Sequence, residues 1–426
     1  MPENNSTSIT PSRAIAPLNK GLGSFHQALS ADDIAHLDWN LLREDLSLPT
    51  AVLYEDKLRH NLDWMRDFIS AYGVKLAPHG KTTMAPNLFA MQLESGAWGV
   101  TLATAHQTQV AHAHGVHRVL MANQLVGKQN MAIITGLLRD PDFEFYSLVD
   151  SADQIDQLGA FFSPLRLRLN VLLELGIDGG RAGIRTDEQL QSVLAALARW
   201  PHAIALSGVE LYEGILHDEP AVRAFLQRAV ETTQHLIAEN RFKREPVLLS
   251  GAGSAWYDVV AEVFSAAKFN APIEIVLRPG CYLTHDVGNY SEAQSRILAN
   301  NPIARRMQSG LVPALHIWAY VQSIPEPTRA IVGLGRRDAS FDSGLPVPAL
   351  HYRPGAATPQ IAPSHWVVTK LMDQHAYLDV HPGDDLRIGD MIAFDICHPC
   401  LTFDKWRTLP ILNASYQVVD IIQTYF

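Results

Sequence analysis

One pattern repeats along most of this chain: a short apolar run, a few turn residues, then an amphipathic stretch of helical period. The apolar runs fall at residues 74–78, 98–103, 118–122, 143–149, 168–173, 204–211, 246–249 and 273–277, eight in all. Runs this short suit buried strands, and strands joined through helices pair in parallel. Helix starts are marked by Thr104 with Gln107, Ser151 with Gln154, and Thr186 with Gln189. Each pair fits a capping box, in which side chain and backbone satisfy each other's unpaired groups. Gly96 and Gly115 fit helix ends, where glycine tolerates a left-handed backbone. Eight such units over roughly 250 residues predict an α/β fold closed as a (β/α)8 barrel of the TIM type. An open doubly wound sheet is the alternative.

The pattern stops after Asn301. Runs at 315–322, 329–334, 365–371, 391–396 and 416–422 are strand-like and separated by Pro, Gly and Asp turns, which predicts a β-rich C-terminal domain. Residues 1–30 mix Ser, Thr, Asn and Pro without period and read as a flexible arm. A helix is predicted over 30–46, broken by Leu48-Pro49. The division expected is therefore arm and helix over 1–48, barrel over 49–300 and β-rich domain over 301–426. Hydrophobic residues at 47% and charged residues at 18% mark a globular chain. A net charge of -10 argues against a nucleic-acid partner. No apolar run approaches the roughly 18 residues a membrane span needs, and no membrane partner is expected. The polar first ten residues lack the apolar core of a signal peptide, so a cytoplasmic location is expected. Three cysteines in so long a chain do not make a disulfide scaffold.

Parallel barrels place their chemistry in the loops after the strands. The first run leads into His79-Gly80-Lys81. A lysine at a barrel mouth, removed from bulk water, is freed for Schiff-base chemistry; a surface lysine is the ordinary alternative. The seventh and eighth runs lead into Ser250-Gly251-Ala252-Gly253-Ser254 and Arg278-Pro279-Gly280-Cys281-Tyr282. Those are the loops where barrels hold phosphate, although glycines also make plain turns. Arg181 is a candidate partner for a phenolate or carboxylate, or else for Asp178 or Glu174. Tyr212 is placed to reach a cofactor ring, or to be core. In Cys397-His398-Pro399-Cys400, proline disfavours a helical His398. An extended chain puts His398 and Cys400 on one face and Cys397 on the other. Imidazole and thiolate make a partial zinc shell with positions left open. A Cys397–Cys400 redox pair and a purely structural cluster are the alternatives.

Four segments together resemble the D-serine dehydratase and D-threonine aldolase group, alanine-racemase-like enzymes of fold type III that use pyridoxal 5'-phosphate. They are Lys75-Leu76-Ala77-Pro78-His79-Gly80-Lys81-Thr82, the Gly-Val-Glu-Leu-Tyr-Glu-Gly run ending at Gly214, Leu277-Arg278-Pro279-Gly280-Cys281-Tyr282, and the Cys-His-Pro-Cys cluster. The resemblance runs from about Pro49 to the C-terminus. It implies that Lys81 bonds the cofactor covalently. It also implies that Gly251, Gly253, Ser254 and Gly280 cradle its phosphate, with Tyr282 assisting. Arg181 falls near its phenolic oxygen, Tyr212 close to its ring, and Thr104 on the pocket wall. His398 and Cys400 would hold Zn2+ or another divalent metal, with His375 close by. The loop at 250–254 departs from the Thr-Pro-containing form associated with D-serine dehydratases, and the N-terminal arm is longer than expected. The implied reaction turns a D-3-hydroxy amino acid, such as D-serine or D-threonine, into a 2-oxo acid and ammonia. A small-molecule D-amino acid is the expected partner and a homodimer the expected assembly. A metal-dependent D-threonine aldolase, an amino-acid racemase and a non-enzymatic carrier of the cofactor are the alternatives.

Overall fold

The computed structural model describes residues 14–426 apart from 31, 32 and 35. The first strand, β1 (Thr50–Tyr54), precedes a long helix, Glu55–Tyr72. The eight apolar runs then form β2 (Lys75–Leu76), β3 (Val100–Leu102), β4 (Arg118–Gln124), β5 (Glu144–Val149), β6 (Leu169–Leu175), β7 (Ile204–Leu211), β8 (Val247–Gly251) and β9 (Ile273–Leu277). Among the described residues these make one parallel sheet of eight strands in the order β2-β9-β8-β7-β6-β5-β4-β3. The seam between β2 and β3 closes through a parallel bridge from His79 to Thr101 and through the Trp98 amide, which donates to Leu76 O at 2.7 Å. The sheet therefore curls into the predicted barrel.

Alternation sorts the strand residues. Leu120, Ala122, Tyr146, Leu148 and Leu172 fill the interior, whereas Val119, Met121, Phe145, Val171 and Leu173 pack under the outer helices. Strands covered on both faces need apolar residues at nearly every position, which is why they read as unbroken runs. Thr186 and Gln189 form a complete capping box on helix Asp187–Arg199. Thr104 and Ser151 cap their helices too, but Gln107 and Gln154 accept from Ala103 N and Asp150 N, one residue earlier than a box requires.

Three expectations are corrected here. The barrel domain was expected over 49–300, but β1, at its start, pairs antiparallel with β10 (Leu315–Glu326) and parallel with Thr408–Leu412, inside the sheet of the C-terminal domain. The sequence cannot show this, because β1 is followed by a helix as every barrel strand is. The barrel thus begins at β2, and the boundary at 49 moves into the helix that follows β1. Second, the described part of the arm is packed. Ile15 and Leu22 are buried with Val52, Tyr54 and Trp318, and Ile15 bridges to Leu29. Residues 1–13 of the arm lie outside the described residues. Third, the described part of 30–46 is no continuous helix. Asp38 takes a positive φ of 49, and Asn40 is extended, capping only a short turn at Leu41–Arg43. The rest of the β-rich domain forms as expected, around a sheet in which β10 lies between β1 and Met391–Asp395. Among the described residues, no helix is long and apolar enough to cross a membrane.

Candidate active site

A cavity of about 490 Å³ opens where the barrel's C-terminal loops meet the second domain. Lys81 reaches it from a single 3-10 turn, Gly80–Thr82, immediately after β2. Loss of bulk water pushes its amine below the ordinary lysine value; Arg181 and Arg278 push the same way, and Cys400 opposes them. His79 beside it is half-buried; loss of water and the neighbouring Lys81 charge hold its imidazole well below the ordinary value, and its buried Nδ1 has no partner.

The two loops after β8 and β9 meet as predicted. Ser254 Oγ accepts from the amides of Gly280 at 3.2 Å and Cys281 at 3.1 Å. A side chain on Gly280 would meet Thr82 Oγ1 at 2.6 Å, so only glycine lets the loop lie this close to the lysine turn. Gly253, Ser254 and Gly280 all line the cavity. The sequence reading overlooked Glu213, a fully buried residue whose carboxylate accepts from Ala252 N at 3.1 Å and Gly253 N at 2.7 Å. It anchors the glycine loop from beneath.

Three of the expected residues do not line the cavity. Gly251 ends β8, and its α-carbon faces Val260 and Phe264 of the helix behind, not the cavity. Tyr282 is 2% exposed, and its hydroxyl accepts from Gln92 at 3.1 Å, which makes it a core tyrosine. Thr104 spends its hydroxyl on capping helix Ala105–Ala113; Ala103 and Gln107 line the cavity in its place.

Arg181 and Tyr212 both line the cavity, with the guanidinium 4.9 Å from the ring centroid. Glu174 takes its hydrogen bond from Gln124. Below them lies a charged network that the sequence reading did not foresee. Arg278, 4% exposed, pairs with Glu210 and donates to Leu211 O at 3.0 Å. Glu174 and Glu210 stand side by side in the register of β6 and β7. Burial first, then the Glu210 charge, pushes Glu174 up to about 7. The only signal in the sequence was one glutamate inside the 204–211 run and another directly after the 168–173 run.

His398 and Cys400 both line the cavity, but not through an extended chain. Pro399 is helical (φ -57, ψ -42) and starts a short helix, Cys400–Phe403. Cys397 is turned away, its thiol donating to Leu345 O at 3.3 Å. The sulfur near Cys400 belongs to Cys281, 3.7 Å away, so a Cys397–Cys400 redox pair is not formed. His398 Nδ1 lies 2.7 Å from Asp342 Oδ2. The Cys400 sulfur and then Asp342 raise this imidazole to about 9. Cys400 in turn is held well below the ordinary thiol value by Cys281, His398 and Thr82. His375 is remote from this cluster: it is exposed in the turn between Val367–Leu371 and Ala376–Asp379, its carbonyl accepting from Met372. Asp342 holds the position that His375 was expected to fill. Among the described residues, no group of three or more His, Cys, Asp or Glu side chains is assembled to hold a metal.

Comparison with known proteins agrees with this layout. Residues 54–283 match the family model for the alanine racemase N-terminal domain, and residues 314–412 match one described as "Putative serine dehydratase domain". A D-threonine aldolase from Arthrobacter sp is 24% identical over 341 residues, covering 79% of this chain and 80% of that protein. A D-threo-3-hydroxyaspartate dehydratase from Delftia sp. (strain HT23) is 28% identical over 188 residues, 43% of this chain and 48% of that protein. The crystal structure of D-threonine aldolase from Filomicrobium marinum superposes with a TM-score of 0.75 at 22% identity, covering 96% of this chain and 98% of that one. At that identity the superposition speaks for the fold alone.

Proposed function

Because the chain belongs to the alanine racemase N-terminal domain family, we propose that it is a pyridoxal-phosphate-dependent lyase acting on D-3-hydroxy amino acids. In this reading it is a dehydratase that yields a 2-oxo acid and ammonia. The observation that carries it is one cavity joining a desolvated lysine, two crossed glycine loops and a histidine–cysteine pair.

The residues present fit the cofactor. Lys81 offers an amine of lowered basicity, and the buried Nδ1 of His79 is unpartnered beside it. A side chain at Gly280 would fill the approach. Pyridoxal phosphate, when bound, supplies an electron sink that acidifies the substrate Cα–H. Lys81 would hold it, with Gly253, Ser254 and Gly280 at its phosphate, Arg181 towards its phenolic oxygen and Tyr212 against its ring. Lys81 Nζ is the group suited to move the Cα proton, because burial lowers its basicity and favours the free amine that a base must be. His398 and Cys400 would hold zinc or another divalent metal, which supplies Lewis acidity at a poor leaving group such as hydroxide. Arg278, paired with Glu210, also lines the cavity. The proposed working form is a cytoplasmic homodimer.

Cleavage of Cα–Cβ by the same site is the second reading, favoured by the similarity to a D-threonine aldolase over most of both chains. Incubation with D-serine, D-threonine and D-threo-3-hydroxyaspartate separates the two. Ammonia with a 2-oxo acid marks the dehydratase; glycine with an aldehyde or glyoxylate marks the aldolase. Comparable rates on L-serine would overturn the proposed handedness.

A further inference from the structure

The reading above leaves Cys281 without a task. It follows Gly280 in the loop after β9, is 3% exposed, and has its amide held by Ser254 Oγ at 3.1 Å. Its Sγ lies 3.7 Å from Cys400 Sγ, which is itself 3.4 Å from Thr82 Oγ1. His398 lies against the Cys400 sulfur. Because Asp342 takes Nδ1 of His398 at 2.7 Å, Nε2 is the nitrogen left to bind. A carboxylate on the far ring nitrogen is the usual device for orienting a metal-binding imidazole.

We propose that Cys281 is a third protein ligand of the divalent metal, giving a Cys2His site with one open position; this rests on the metal reading above. The sulfur spacing supports it. Two thiolates on one tetrahedral zinc, each about 2.3 Å from the ion, stand about 3.8 Å apart. The charge also fits, since two thiolates neutralise a divalent ion and a buried charge needs such compensation. Among the described residues no group of three such donors is already assembled to hold an ion. The ion draws them together, and any remaining thiol protons pass to solvent. Three protein ligands and one open position describe a catalytic site, not a closed structural one. The ligands also come from both domains: Cys281 from the barrel, His398 and Cys400 from the β-rich domain. Bound metal therefore pins the two together across the cavity.

Zinc-edge X-ray absorption on the cofactor-loaded protein counts the sulfur atoms around the ion, and chelator competition on the same samples gives its affinity. Two sulfurs are expected in the wild type and in Cys397→Ala. One is expected in Cys281→Ala, with affinity lower by about 100-fold, the upper end of what losing even an outer-shell partner costs. Cys281→Ser, which keeps a small polar group in the buried position, is expected to match and guards against misfolding of the alanine variant. A single sulfur in the wild type overturns the role of Cys281 while leaving the metal reading intact. So does an unchanged sulfur count and affinity in both Cys281 variants. A wild type that binds no zinc overturns both.

Discussion

Ser254 and Cys400 show how much a single side chain does at this site. Ser254 Oγ serves two backbone amides, at Gly280 and Cys281, that face no other partner in the loop. Removing it takes the partner from two part-buried donors, at about 0.5–1.5 kcal/mol each. Ser254→Ala is therefore expected to lower the melting temperature and weaken cofactor binding together, measured by thermal unfolding and cofactor titration. Cys400→Ala is expected to abolish 2-oxo acid formation while the cofactor's absorbance stays nearly unchanged. Cys397→Ala is expected to be mild, because its thiol points at Leu345 and away from the cavity. Equal losses in the two cysteine variants would contradict this. That Lys81, Arg181, Tyr212, Gly253, Ser254, Gly280, His398 and Cys400 share one cavity wall was legible in the sequence, because each follows a strand or sits in a distinctive motif. Tyr282 and Thr104 were misplaced for a physical reason. A tyrosine and a threonine are as useful to a core and a helix cap as to a ligand, and spacing does not distinguish these uses.

At the scale of elements, the parallel strands were readable because burial on both faces makes them plain apolar runs. What could not be read was partnership. β1 looks like a barrel strand and belongs to the other sheet. Glu174 and Glu210 look like isolated glutamates until β6 and β7 pair and set them side by side. That pairing has a consequence for stability. The folded protein holds Glu174 at about 7 against an ordinary value of 4.5, so between these the native state binds more protons than the unfolded state. The group's contribution to stability is then lost as pH rises from about 4.5 through about 7. Glu174→Gln is expected to remove this slope. Melting temperatures of variant and wild type, compared across that range, should diverge in favour of the variant at the higher pH. Parallel curves would show that Glu174 ionises normally.

Over the whole molecule, the described segment from residue 14 and β1 pack with the β-rich domain, so the barrel is entered from that domain and returns to it at β10. Ile15 and Leu22 are each at most 3% exposed. Truncating either to alanine is expected to cost about 2–5 kcal/mol, as buried large-to-small changes do. A freely flexible arm would cost nothing, and denaturant unfolding distinguishes the two. The two-domain arrangement also brings the lysine loop and the His398–Cys400 helix to one cavity, although Lys81 and His398 lie 317 positions apart in the chain. Lys81 is the residue on which the proposed chemistry depends. Borohydride reduction of the cofactor-loaded protein converts a lysine-bound pyridoxal phosphate to a stable secondary amine, and peptide mapping locates it. A single label on Lys81, absent from Lys81→Ala, is the predicted result; a label on another lysine, or none in the wild type, would contradict it.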